Sequence, residues 1–146
     1  MNKFDLIKKE IETILPNSPV DIDLKHANLV LELVLKLKPD ADEALKIAAL
    51  SHDIERAITG ITEKDLNDYS KINEFKKEHS IRSAQIIGEI LTKHGYPVDI
   101  INKVKHLVEN HEFGGDDETQ ILTDADSLAY FDYNIPTYLK RNGREQ

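Results

Sequence analysis

The chain has 146 residues, 40% hydrophobic and 32% charged, with six glycines, five prolines and a formal net charge of −8. This balance fits one folded domain over 1–146, sized to bury about two thirds of its unfolded surface, and excludes a disordered chain. The absence of cysteine rules out disulfides, thiolate ligands and Cys nucleophiles, and the acidity argues against a grip on a nucleic-acid polymer.

Apolar residues recur at helical spacing almost throughout, with no strand-like alternation. The opening "MNKFDLIKKEIETIL" predicts a helix over residues 2–14, ended by "PNSPVD". It lacks the uninterrupted apolar core of a signal peptide, and no run approaches the roughly 20 apolar residues of a membrane span. A cytoplasmic protein without membrane contact is the expectation. A second helix runs from about Ile22 to Leu37, apolar nearly all round, and stops before Pro39. "PDADEA" opens a third, with acids in the first turn where they suit the helix dipole; it carries "ALKIAALSHDIERAIT" and ends near Gly60. Residues 61–75 are polar and poorly periodic and read as a short helix plus loop, a candidate flap. A helix from about Lys77 to Lys93 ends at "HGYP", and Pro97 opens the next, which runs to about Asn110. "EFGGDDE" is a loop, "TQILTDADSLAYFDY" the last strong helix, and a shorter one follows Pro136. The expected fold is a compact all-α single-domain bundle of six to eight helices.

Several polar residues fall where this pattern is driest. His52 and Asp53 are adjacent on an otherwise apolar helix, where unpaired burial costs several kcal/mol. By itself such a pair is equally consistent with a satisfied polar contact. His26 lies near the start of the second helix, and His79 shares a face with residues 83, 86, 87 and 90. His111 sits where a helix meets the Gly-rich loop. Asp124 and Asp126 both lie in "LTDADSLAYF", about 200° apart around a helix, and spacing alone does not choose between them. Histidines and aspartates at core-facing positions of separate helices make sense if they converge on metal. Such donors suit Mn, Fe, Co, Ni or Zn, or Mg where carboxylates dominate. His94 reads as a helix-end residue and His106 as a surface one.

The order His26, His52-Asp53, Asp126 resembles the H…HD…D signature of the HD superfamily of metal-dependent phosphohydrolases, over about residues 22–132. "HD" alone is a weak signal; here it follows "ALKIAALS" and precedes a downstream "ADSL" at family-like distances. The resemblance implies an all-α fold and makes His26, His52, Asp53 and Asp126 ligands of a first metal, leaving Asp124 behind them. By the same resemblance His79 in "EHSIRSA" and His111 in "ENHEFGG" are ligands of a second metal, with Asp53 bridging. The chain departs from the fullest two-metal pattern, which has paired histidines where Asn110-His111 stands.

One or two divalent ions per chain would activate a water and neutralise phosphoryl oxygens. The implied activity is metal-hydroxide attack on a small phosphorylated metabolite, foremost a nucleotide. An acidic chain takes such a ligand where a metal or local Lys and Arg reverse the sign of the cleft. Arg82, three residues after His79, is a candidate phosphate clamp, as are Arg56 and Lys77, with Lys76 beside it. Glu55 and Asp124 are candidates to orient the attacking water or support the ligands. Asp132, on the apolar face of the last helix, and Tyr130 are further residues of interest there. Two alternatives belong to other classes: an HD-fold di-iron oxygenase, and a non-catalytic binding module that keeps metal for stability.

Overall fold

The structure, a computed structural model, describes residues 2–20 and 22–131, which form seven α-helices and no strand. The helices are α1 (Lys3–Ile14), α2 (Asp23–Leu37), α3 (Glu43–Ser51), α4 (Glu55–Thr59), α5 (Ile72–Lys93), α6 (Val98–Asn110) and α7 (Asp117–Ala129). No helix among the described residues is long and apolar enough to cross a membrane. Asp132 and the helix expected after Pro136 lie outside the described residues.

Short polar side chains start the helices by taking otherwise unpaired N–H groups. The Asn2, Asp42 and Asp116 carboxamide or carboxylate oxygens accept from the backbone of Asp5, Leu45 and Thr119, at 2.8, 2.9 and 3.0 Å. Gly60 and Gly95, at φ +73° and +77°, close α4 and α5 in the left-handed conformation that favours glycine.

The centre of the bundle is α3. Ala44, Leu45, Ile47, Ala48, Ala49, Leu50 and Ser51 are all buried, and α1, α2, α6 and α7 pack around it. The stripe Ala27, Val30 and Val34 of α2 and the stripe Leu122, Ala125 and Ala129 of α7 enter the same core. Small residues on α5 (Ser80, Ser83, Ala84 and Gly88, all buried) let its neighbours approach closely. A Cβ at Gly88 would lie 3.0 Å from the Lys105 side chain on α6.

The third helix differs from expectation, since it does not run unbroken to Gly60. After Ser51 the backbone tightens: Ile54 N–H donates to Ser51 O (3.0 Å) and Ala57 N–H to Ile54 O (3.1 Å). These are i→i+3 bonds of 3₁₀ type, and His52, Asp53 and Ile54 form the turn between α3 and α4. Residues 61–71 carry only two single 3₁₀ turns, and α5 begins at Ile72, five residues before the expected start. Ile47, with no exposed surface at the middle of α3, tests the packing scheme. Ile47→Ala should cost about 2–5 kcal/mol, read as a lower urea midpoint with an unchanged slope.

Candidate metal centre

Four elements deliver the polar residues that the apolar pattern left unexplained. His26 comes from the first turn of α2, His52 and Asp53 from the α3–α4 turn, His111 from the end of α6 and Asp126 from α7. One donor atom from each of His26, His52, Asp53 and Asp126 lies within 4.8 Å of every other. A second group on the same criterion joins Asp53, His111 and Glu112. The imidazoles cluster, with ring centroids 5.3 Å apart for His26–His52 and 4.9 Å for His52–His111.

Asp53 faces both groups through different oxygens. Its Oδ2 lies 3.2 Å from His52 Nε2, and its Oδ1 lies 3.0 Å from His79 Nε2 and 3.9 Å from His111 Nε2. Asp126 Oδ1 sits 2.7 Å from His26 Nε2 and 3.3 Å from His52 Nε2.

The tautomers of two histidines follow from their partners. His52 Nδ1 is 2.8 Å from the Ala49 carbonyl and His111 Nδ1 is 2.6 Å from the Val108 carbonyl. A carbonyl only accepts, so the proton of each neutral ring is on Nδ1. Each Nε2 then turns a lone pair toward carboxylate oxygens, buried and without a hydrogen-bond partner. Lone pair facing lone pair is unfavourable unless a proton or a metal cation stands between them. The donor set of imidazole nitrogen and carboxylate oxygen fits a divalent ion, so His26, His52, Asp53 and Asp126, with His111 and Glu112, form a site able to hold metal.

A supporting ring of residues fixes the donors. Glu55 has no exposed surface; it accepts from His79 Nδ1 at 2.8 Å and is paired with Arg82. Arg56 grips Asp23 with two bonds, Nε–H to Oδ2 (3.1 Å) and an Nη2–H to Oδ1 (2.7 Å), and also donates to Asp53 Oδ2 at 2.9 Å. Ser18 Oγ donates to Asp23 Oδ2 at 2.5 Å. A cavity of about 320 Å³ opens above the cluster, its wall including Arg56, Glu63, Lys76, Glu112, Tyr130 and Phe131.

Three residues named from sequence sit elsewhere. Asp124 is exposed and accepts from Gln120 Nε2 at 2.9 Å on the outer face of α7, so of the two acids it is Asp126 that faces inward. Lys77 is exposed and Lys76 lines the cavity instead, because Lys76 is three residues before His79 and shares its face whereas Lys77 is two. Arg82 is committed to Glu55, with Glu78 3.7 Å away. His79 reaches Asp53 Oδ1 but belongs to neither donor group. His106 pairs with Asp116 at 2.7 Å on the surface and His94 with Glu10 at 2.7 Å. Glu112 and Asp23 were missed by sequence reasoning. Glu112 did leave a trace, an acid at a helix C-terminus where the dipole disfavours it; Asp23, in a first turn, looks ordinary.

A family model described as "Domain of unknown function (DUF4202)" matches residues 2–146. The chain belongs to the DUF4202 family. No curated protein and no solved structure matches this DUF4202 chain.

Burial is the largest influence on the central charges and opposes them, yet the pairing overcomes it. His52 is held well above 6.5 by Asp53 and Asp126. Asp53 is held well below 3.8 by Arg56 and His52, and Asp126 below 3.8 by His52 and His26. In metal-free protein the carboxylate contribution to stability is therefore present above 3.8 and lost as pH falls through the lowered values. The His52 contribution is present below 6.5 and lost as pH rises through its raised value. Melting temperature in chelator should peak between these limits and fall on either side. A flat profile from mildly acidic to alkaline pH would refute the pairing.

Proposed function

We propose that this DUF4202 chain is a divalent-metal-dependent phosphohydrolase, a member of the HD superfamily, acting on a small phosphorylated metabolite, foremost a nucleotide. The observation that carries the reading is the pair of buried Nε2 atoms, on His52 and His111, facing carboxylates with their protons held on the far side of the ring. The order His26, His52-Asp53, Asp126 supports it from the sequence. Bound divalent ions supply water activation and neutralisation of phosphoryl charge.

The chain's own residues divide the remaining work. Asp53 presents one oxygen to each donor group, and Arg56, anchored on Asp23, stops that carboxylate from rotating. Glu55 sets the ring of His79 against the other Asp53 oxygen. Lys76 stands on the cavity wall as a cation for phosphate oxygens. Tyr130 and Phe131, packed edge to face with centroids 6.1 Å apart, give the cavity an apolar side suited to a planar base. Its volume of about 320 Å³ matches the lower range of small-ligand sites.

Elemental analysis of untagged protein tests the reading. Wild type should carry about one to two divalent ions per chain, and Asp53→Ala about none, since Asp53 serves both groups. Wild type should then release phosphate from at least one member of a nucleotide panel, with a loss on the order of a hundredfold or more in Asp53→Ala. Iron with oxygen uptake and no phosphate release would move the reading to di-iron oxidation. No metal after incubation with Mn²⁺ or Co²⁺ would sink it.

A further inference from the structure

A second hollow of about 260 Å³ opens beside the cavity over the donors, and Arg56, Glu63 and Tyr130 line both. The two therefore form one continuous cleft with Arg56 at the junction. Arg56 spends Nε and Nη2 on Asp23 and Asp53, and none of those bonds uses Nη1. The walls of the two parts differ. Histidine and acids surround the donors, whereas the side hollow adds Pro19, Val20, Thr62 and Lys64. Pro19, Val20 and Tyr130 give it an apolar surface, and the Tyr130 ring, 45% exposed, has area left to cover.

The polar wall is a tied turn. Thr62 N–H donates to Asp65 Oδ2 at 2.8 Å, and Asp65 N–H donates to the Thr62 carbonyl at 2.9 Å. This fixes the 3₁₀ turn Glu63–Asp65 at both ends and sets Glu63 and Lys64 next to each other on the wall. Arg56 is committed to Asp23 and Asp53, so among the described residues Glu63 and Lys64 have no ion-pair partner.

A carboxylate only accepts hydrogen bonds and an ammonium only donates them. A planar base meeting both must turn N–H groups to the first and a carbonyl to the second. Guanine does so along one edge, with N1–H and the N2 amino group beside O6. Adenine puts a lone pair at N1 and an amino group at N6, so carboxylate would face lone pair and ammonium would face amino group. Uracil has the N–H and the carbonyl, but a second carbonyl stands where guanine has its amino group.

We propose that the side hollow is a base subsite selective for guanine. The ring covers Tyr130 beside Pro19 and Val20, Glu63 accepts from N1–H and the N2 amino group, and Lys64 donates to O6. Arg56 stands where the nucleoside gives way to its phosphate. The inference rests on the phosphohydrolase reading for the phosphate end of the ligand and goes beyond it in naming the base.

Titration of the chelator-treated full chain with GMP, AMP or ribose 5-phosphate, followed by amide NMR shifts, tests the subsite without turnover. GMP should bind at least roughly tenfold tighter than AMP, with shifts at Thr62, Glu63 and Lys64 that ribose 5-phosphate does not produce. Glu63→Ala, at an exposed position, should bring the GMP-to-AMP ratio to about one. Loss of its charge favours every phosphate alike, so the ratio isolates base recognition. Tyr130→Ala should weaken both nucleotides and keep the ratio. Equal binding of GMP and AMP by wild type, or a ratio that survives Glu63→Ala, would overturn the proposal. Equal binding with phosphate released from both nucleotides once metal is restored defeats this inference alone. A guanine preference lost in Glu63→Ala, with no nucleotide hydrolysed under any divalent metal, upholds the subsite and defeats the phosphohydrolase reading. A chain that neither binds nor hydrolyses a nucleotide defeats both.

Discussion

The tightening of the backbone after Ser51 is the constraint on which the site depends. It ends the central helix at His52 and Asp53 and holds the two side chains in a short turn surrounded by core. From there Asp53 reaches His52 with one oxygen and His79 and His111 with the other. The packing around α3 therefore fixes where the carboxylate stands, and α2, α6 and α7 bring their donors to it.

The surrounding hydrogen bonds make the same arrangement unforgiving. Backbone carbonyls in the helix ends hold His52 and His111 by Nδ1, so these rings cannot flip without losing a buried bond. Asp23 and Glu55, both buried, take up Arg56, His79 and Arg82. Charge inside the bundle is thus tolerated because nearly every group has an oppositely charged neighbour. The two Nε2 atoms that point into the centre face carboxylates yet make no hydrogen bond.

Much of this was legible in the sequence, and the reasons are local. Helical spacing located six of the seven helices, with α4 read as part of α3, because their apolar stripes are strong, as in Val30 and Val34 of α2 or Leu122 and Ala125 of α7. His26, His52 and Asp53 stood out because they interrupt those stripes, His111 by its place before a Gly-rich loop, and Asp126 only through the resemblance; the structure brings them together. The break at His52 was hidden, since Ile54 and Ala57 continue the apolar pattern across it. Spacing could have separated Lys76 from Lys77, being a question of helix face. It could not separate Asp124 from Asp126, as each has apolar neighbours within a turn. Arg82 was unreadable because its partner, Glu55, is 27 positions away in the chain.

The acids around the cavity also shape how a ligand arrives. Among the described residues, Glu63, Glu112, Asp53 and Asp126 line it against Arg56 and Lys76, in a chain whose net charge is −8. An anion diffusing toward the mouth climbs a repulsive field rather than descending a funnel. Dissolved salt shortens the reach of that field to about 10 Å at 0.1 M. For the phosphorylated ligand proposed above, encounter would accordingly be quicker in brine than in dilute buffer, the reverse of the behaviour of a basic cleft, and each cation seated at the floor would lower the slope of the climb.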